Sequence, residues 1–219
     1  MRKSFITAVL LAILLSNAIA EQKIRFSVFA NPCINWLQSD IKSVVSGSPV
    51  FGFDAGLTVD KYFADNYAFS SGASISSLGG NLKYSNGATF KTKGSGSVTV
   101  NNDANVRYKL QYISVPLALK LKTKQIGYFT YFANLGFTLQ MNIKATGTSS
   151  DGTLNDNISD EISFLNLGYH FGAGTEYSIG GNTAVIFGVT YTNGFIDVTQ
   201  NASDKITTSS FAIRLGLMF

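Results

Sequence analysis

Six charged or titratable side chains fall at the polar positions of segments whose alternate residues are apolar: Arg25, Asp54, Lys120, His170, Glu176 and Arg214. That spacing turns all six toward a shared interior. A buried charge is tolerated when it is paired and hydrogen-bonded, so acids and bases confined together are expected to pair. The network they form is read as fixing polarity and register inside the fold, with an ion-selective constriction or gate as the functional alternative. Catalysis is not expected. His170 is the single histidine, and acyl-transfer chemistry would need a serine and an acid beside it. Its same-face neighbours are Gly168 and Gly172, so no catalytic residue is assigned.

Metal and cofactor chemistry is equally poorly provided for. One histidine and one cysteine supply no ligand cluster, and Asp151, Asp156, Asp160 and Glu161 lack calcium-loop spacing. Cys33 cannot form an internal disulfide and is read as an incidental loop thiol. The chain carries 17 basic and 13 acidic residues, and Arg2 and Lys3 belong to a segment expected to be removed, so a nucleic-acid partner is not indicated.

What must position the six groups is a set of strands. Arg2 and Lys3 precede an apolar run from Phe5 to Leu15 that ends in Ala18, Ile19 and Ala20. This predicts a cleaved signal peptide over residues 1–20, because the run is short of the roughly 20 residues a membrane helix needs. Residues 21–219 then form one domain. Only 14% of residues are charged, against roughly 25% in soluble domains, while Gly numbers 21 and aromatics reach 13%. Period-two alternation is clearest where Phe211, Ile213, Leu215, Leu217 and Phe219 alternate with Ala212, Arg214, Gly216 and Met218. Ile113 to Lys122, Phe51 to Val59, Phe129 to Ile143, Leu165 to Ile179 and Val185 to Tyr191 repeat it, and Ile24 to Ala30 and Tyr67 to Ile75 do so more weakly. These predict eight strands.

Alternation alone also fits a soluble sandwich or a lipocalin-like barrel, and the non-greasy face decides between them. In two segments that face reads Thr130, Asn134, Gly136, Thr138, Gln140 and Asn166, Gly168, His170, Gly172, Gly174, Glu176. It is polar but thinly charged, which suits the crowded lumen of a small barrel whose apolar residues meet lipid. The fold class expected is all-β, an eight-stranded antiparallel up-and-down transmembrane β-barrel, which leaves no unpaired strand edge in hydrocarbon. Short connections near Lys61 to Asn66, Lys124 to Gly127 and Gly180 to Asn182 alternate with long ones near Asn31 to Pro49, Ser85 to Asn105, Ala145 to Asp160 and Gln200 to Ile206. Both termini are therefore expected in the periplasm, with the long loops outside. Tyr62, Phe63, Tyr67, Tyr128, Phe129, Tyr131, Tyr177 and Phe219 crowd the short-turn end and are expected to form a periplasmic aromatic girdle. Cys33 to Val45 reads either as a short amphipathic helix or as an irregular loop, and Ser85 to Asn105 as an extended hairpin. Pro116 is expected to mark a bulge or weakened pairing.

The stretch Gln111-Tyr112-Ile113-Ser114-Val115-Pro116-Leu117-Ala118-Leu119-Lys120 resembles a strand motif of PorT-like bacterial outer-membrane barrels. Ile126 to Phe132, Gly172 to Tyr177 and Tyr191 to Phe195 are similar to further segments of that porin family, in the same order. The resemblance implies the bacterial outer membrane and a scaffold, not one activity. It implies outer-membrane lipid as surroundings, and from the residues themselves no cofactor is expected. The terminal Phe219 resembles the C-terminal aromatic signature read by the barrel-assembly machinery. The function expected is a non-enzymatic structural barrel or narrow, low-conductance porin-like protein. The alternative is an accessory component of a protein-secretion or surface-assembly system, with secretion-complex proteins as partners, since some relatives assist such an apparatus.

Overall fold

Large apolar or aromatic residues at every second position, with small or polar ones between, suit a pleated strand that meets different surroundings on its two faces. The computed structural model describes residues 24–94, 96–200 and 205–219, and among them there is no helix. The signal peptide expected over residues 1–20 lies outside the described residues, as does part of the Gln200 to Ile206 connection. Twelve strands form: β1 (Ile24–Ser39), β2 (Val44–Ser46), β3 (Val50–Ala64), β4 (Tyr67–Tyr84), β5 (Ala88–Thr92), β6 (Gly96–Val100), β7 (Ala104–Lys122), β8 (Phe129–Ser149), β9 (Asn155–Asn157), β10 (Leu165–Gly180), β11 (Thr183–Gly194) and β12 (Ile206–Met218). Eight of them, β1, β3, β4, β7, β8, β10, β11 and β12, pair antiparallel with their neighbours in chain order. The pairing of β12 with β1 closes the ring, with Val28 opposite Leu217 and Ile34 opposite Phe211.

Both ends of the barrel follow from turn chemistry. At one end the connections are tight, and the β10–β11 turn places Gly180 and Gly181 at φ 121° and 57°, which residues with a Cβ rarely adopt. At the other end the strands run far past the predicted boundaries. Asn31 to Ser39, expected in a loop or amphipathic helix, continues β1, so Cys33 is a buried strand residue and not a loop thiol. Its alternation simply persists, with Cys33, Asn35 and Leu37 buried between Ile34, Trp36 and Gln38. Residues 85–105 hold the expected hairpin as β5 and β6, with Phe90 opposite Val98.

Pro116 leaves its mark on one side only. The β4–β7 ladder breaks opposite Gly72 and Ala73 and resumes in the same register at Ser74 and Ser114, while Pro116 still lies opposite Thr138 on β8. Pairing is weakened there without a bulge. Pro32 opens a similar gap between β1 and β12, and the Asn31 side-chain carbonyl fills it by accepting the Leu215 N–H at 3.2 Å.

Along β7 the apolar phase inverts. From Ile113 to Leu121 the odd-numbered residues are apolar and outward, whereas from Ala104 to Tyr112 the even-numbered residues are apolar and buried. On β8 the same crossover occurs through a register shift opposite Gln111 and Tyr112, where Ile143 and Lys144 are both exposed. The barrel is therefore greasy outside and polar inside near the short turns, and polar outside and greasy inside near the long loops.

Asp151 fastens the long-loop end. Its carboxylate accepts the Asn101 N–H and side-chain amide at 3.0 Å each and the Thr153 N–H at 3.1 Å, and it also bonds the Ser149 hydroxyl. The Ser149 hydroxyl leads these donors in holding its pKa well below the usual carboxylate range. A depressed carboxylate pKa contributes order that is complete above the ordinary carboxylate range and is lost as pH falls through the folded value. Amide hydrogen exchange at Asn101 and Thr153 is expected to stay slow from neutral pH down past pH ~4, the unperturbed carboxylate range, and Asp151→Asn should accelerate it at neutral pH. Equal exchange in the two proteins would refute the fastening.

Candidate functional site in the barrel lumen

The lumen is built in three layers, each set by the inward residues of the eight strands. Nearest the short turns, Lys120 on β7 reaches across to Asp60 on β3 and Glu176 on β10, with its Nζ 2.6 Å from Asp60 Oδ2 and 2.6 Å from Glu176 Oε1. All three side chains are no more than 7% exposed. The Asp60 contact is a well-angled hydrogen bond, whereas the Glu176 contact is electrostatic, because Oε1 has no hydrogen-bond partner. The Phe132 ring lies 5.0 Å from the Lys120 ammonium, and Ile186 and Met218 pack with Phe132 to keep water from the pair. Below them, the Lys122 ammonium sits 4.3 Å from the centre of the Tyr62 ring.

The middle layer is polar and holds a cavity of ≈ 90 Å³, lined among others by Asp54, Ser76, Thr190, His170 and Arg214. That volume has room for a few waters at most. Asp54 accepts from the Ser76 hydroxyl at 2.9 Å and from the Asn31 amide at 3.3 Å. His170 Nδ1 meets the Thr138 hydroxyl at 2.8 Å. Arg214 donates to Thr58 at 3.3 Å and stacks 4.9 Å from the centre of the Phe29 ring. Asn166 bonds Gln140 at 2.9 Å and marks the top of this layer.

The third layer is apolar. Leu37, Leu82, Val106, Tyr108, Leu110 and Tyr112 from the strands meet Leu154, Ile158, Ile162, Val198 and Ile206 from the long-loop end, all at 2% exposure or less. The β5–β6 hairpin adds Phe90, edge-on to Tyr84 at 5.6 Å, and the Tyr84 and Tyr108 hydroxyls bond at 2.5 Å. Side chains fill this end of the lumen.

The six groups expected to share one network are divided between layers. Among them only Lys120 and Glu176 pair, and the missing acid is Asp60, which lies one residue past the predicted end of its strand at Val59. Carrying the alternation one step further would have found it. Asp54, His170 and Arg214 lie in the middle layer, where they meet hydroxyl, amide and ring partners and form no ion pair within 4 Å among the described residues. Arg25 stands at the short-turn mouth and donates to the Asn182 carbonyl at 2.5 Å. Tyr62 is also displaced from its expected place: β3 keeps its even-numbered residues inward, so Tyr62 is 7% exposed and belongs to the lumen, not to the girdle. Phe63, Tyr67, Tyr128, Phe129, Tyr131, Tyr177 and Phe219 do lie on the outside near that end.

As chemistry, the arrangement offers no charge-relay geometry. Among the described residues no carboxylate is hydrogen-bonded to His170, and its partner is a threonine held in the wall. No group of three or more metal-ligating side chains occurs among them.

The sequence profile of the outer membrane protein beta-barrel domain matches residues 17–200. No curated protein matches the chain. Among solved structures, Neisserial surface protein A is similar in fold, with a TM-score of 0.50 and 13% identity over 88% of this chain and 95% of that one. The Yersinia pestis attachment invasion locus protein Ail, in complex with the heparin analogue sucrose octasulfate, has a TM-score of 0.44 and 13% identity over 90% and 99%. OprG from Pseudomonas aeruginosa has a TM-score of 0.40 and 16% identity over 90% and 94%.

Proposed function

The chain belongs to the outer membrane protein beta-barrel domain family, and from that premise we propose that it is a closed, non-enzymatic barrel of the bacterial outer membrane. In this reading the barrel is a scaffold that holds the β5–β6 hairpin and the other long connections at the cell surface. The short turns and both termini face the periplasm, and the strand ending at Phe219 is what the assembly machinery reads. The observation that carries the proposal is the apolar layer across the lumen, since a diffusion pore needs a continuous polar path. The buried Asp60–Lys120–Glu176 cluster supports it from the other end, as internal ballast in which two carboxylates share one ammonium.

Planar-bilayer recording of the purified barrel tests this. The expected result is a folded, heat-modifiable protein with no steady conductance. A steady conductance that changes in a Lys120→Ala, Arg214→Ala double variant would overturn the closed reading and establish a narrow pore lined by those residues.

A further inference from the structure

We propose that the outer wall of β4, β7 and β8 binds the phosphate groups of a membrane glycolipid of the lipid A class. The proposal rests on the preceding reading for the outward orientation of the long-loop end. Four cations point outward there: Lys83 on β4, Arg107 and Lys109 on β7, and Lys144 on β8. Register makes them neighbours. Arg107 lies opposite Asn81, two residues from Lys83, and Lys109 lies opposite Thr146, two residues from Lys144. Such diagonal and same-strand positions are about 7 Å apart, so the four ammonium and guanidinium groups form one zigzag roughly 20 Å long.

This patch is the exception on the outer wall. Asp54, Asp60 and Glu176, the acids within the eight described barrel strands, all face inward. The one other outward cation of those strands is Lys61, at the opposite end of the barrel. Solubility alone would scatter charges of both signs around the rim. Here cations of one sign gather on three adjacent strands, where like charges at cross-strand positions repel. Lys83 is 2.9 Å from Asp103, but Arg107, Lys109 and Lys144 have no acid within 4 Å among the described residues. An external anion is what would complete them.

The height of the patch names the anion's source. Directly below it the outward face turns apolar, with Ile75, Ile113, Leu117 and Ile143 between 37% and 57% exposed. The cations therefore stand at the level where headgroups meet acyl chains, and their spread suits a headgroup with more than one phosphate. Charge-assisted contacts to phosphate supply the attraction, and the apolar wall below receives the chains.

The test uses protein purified from membranes in detergent and titrated with bisphosphoryl lipid A, dephosphorylated lipid A and inorganic phosphate, read by native mass spectrometry. The variants are R107Q/K109Q/K144Q, the charge-conserving R107K/K109R/K144R, and K42Q/K91Q/K93Q as a control for loop charge. Heat-modifiability on gels verifies that each is folded. The glutamine triple variant should bind bisphosphoryl lipid A at least tenfold more weakly, while the other two variants bind as wild type. Dephosphorylated lipid A should bind wild type no better than the glutamine variant does. Unchanged binding by the glutamine variant, or an equal loss in the loop control, would overturn the proposal, and so would inorganic phosphate binding as tightly as the lipid. Surface labelling of Lys91 and Lys93 on intact cells reads orientation separately, so a failed orientation is distinguishable from a failed site.

Discussion

Replacing Lys120 with Met is expected to destabilise the folded barrel by about 3–5 kcal/mol, the range found when one member of a buried ion pair is removed. The reason is geometric. One ammonium stands 2.6 Å from two carboxylate oxygens, all three side chains are nearly sealed from water, and Phe132, Ile186 and Met218 wall them in. Without Lys120, Asp60 and Glu176 face each other across the lumen with no cation between them. Most of the loss is therefore the penalty of stranded charge and not the net worth of the pair. A D60N/K120M/E176Q variant removes the whole set and should recover most of the stability, ending within about 2 kcal/mol of wild type. Urea unfolding in lipid vesicles measures both. A K120M cost below about 1 kcal/mol would mean that the cluster is open to water.

Leu82→Ala is expected to cost about 3–5 kcal/mol, more than the same change at Leu117. Leu82 is fully buried in the apolar layer, where its removal leaves a void between Leu37 and the facing strands. Leu117 is 57% exposed on the outer wall, where a lipid chain moves into the vacated space. Its loss is the transfer part alone, about 2 kcal/mol at roughly 0.8 kcal/mol per methylene. Equal costs at the two sites in vesicle unfolding would mean that the apolar layer is loosely packed.

The eight strands were legible because lipid and a filled lumen impose opposite demands on successive residues, and Phe211 to Phe219 or Ile113 to Lys122 display that contrast without interruption. The strand ends were not. Above Ile113 the apolar residues change sides, so Ala104, Val106, Tyr108, Leu110 and Tyr112 alternate as regularly as the residues below, but in the opposite phase. A reading that holds the greasy face outward stops at the crossover, whereas Asn31 to Ser39 was lost from β1 because Ile34, Leu37, Ile41 and Val44 also recur at helical spacing. Asp60 was missed at the short-turn end of β3, where the reading stopped one residue short, at Val59. Lys120 and Glu176 lie inside, and their phase is readable because it is set within the contrasting region. Which partner each would meet was not legible, since Lys120 joins strands β3, β7 and β10 across the lumen and no local spacing encodes that distance.

The crossover at Ile113 has a mechanical meaning as well. Moving the barrel two residues inward along β7 would drag Lys109 and Arg107 toward hydrocarbon, where a cation on the lipid face costs about 2–4 kcal/mol at the midplane. Moving it outward would lift Ile113, Ile75 and Ile143 into water. Either displacement is opposed on several strands at once, so the protein carries its own depth mark and rides at one level in the bilayer.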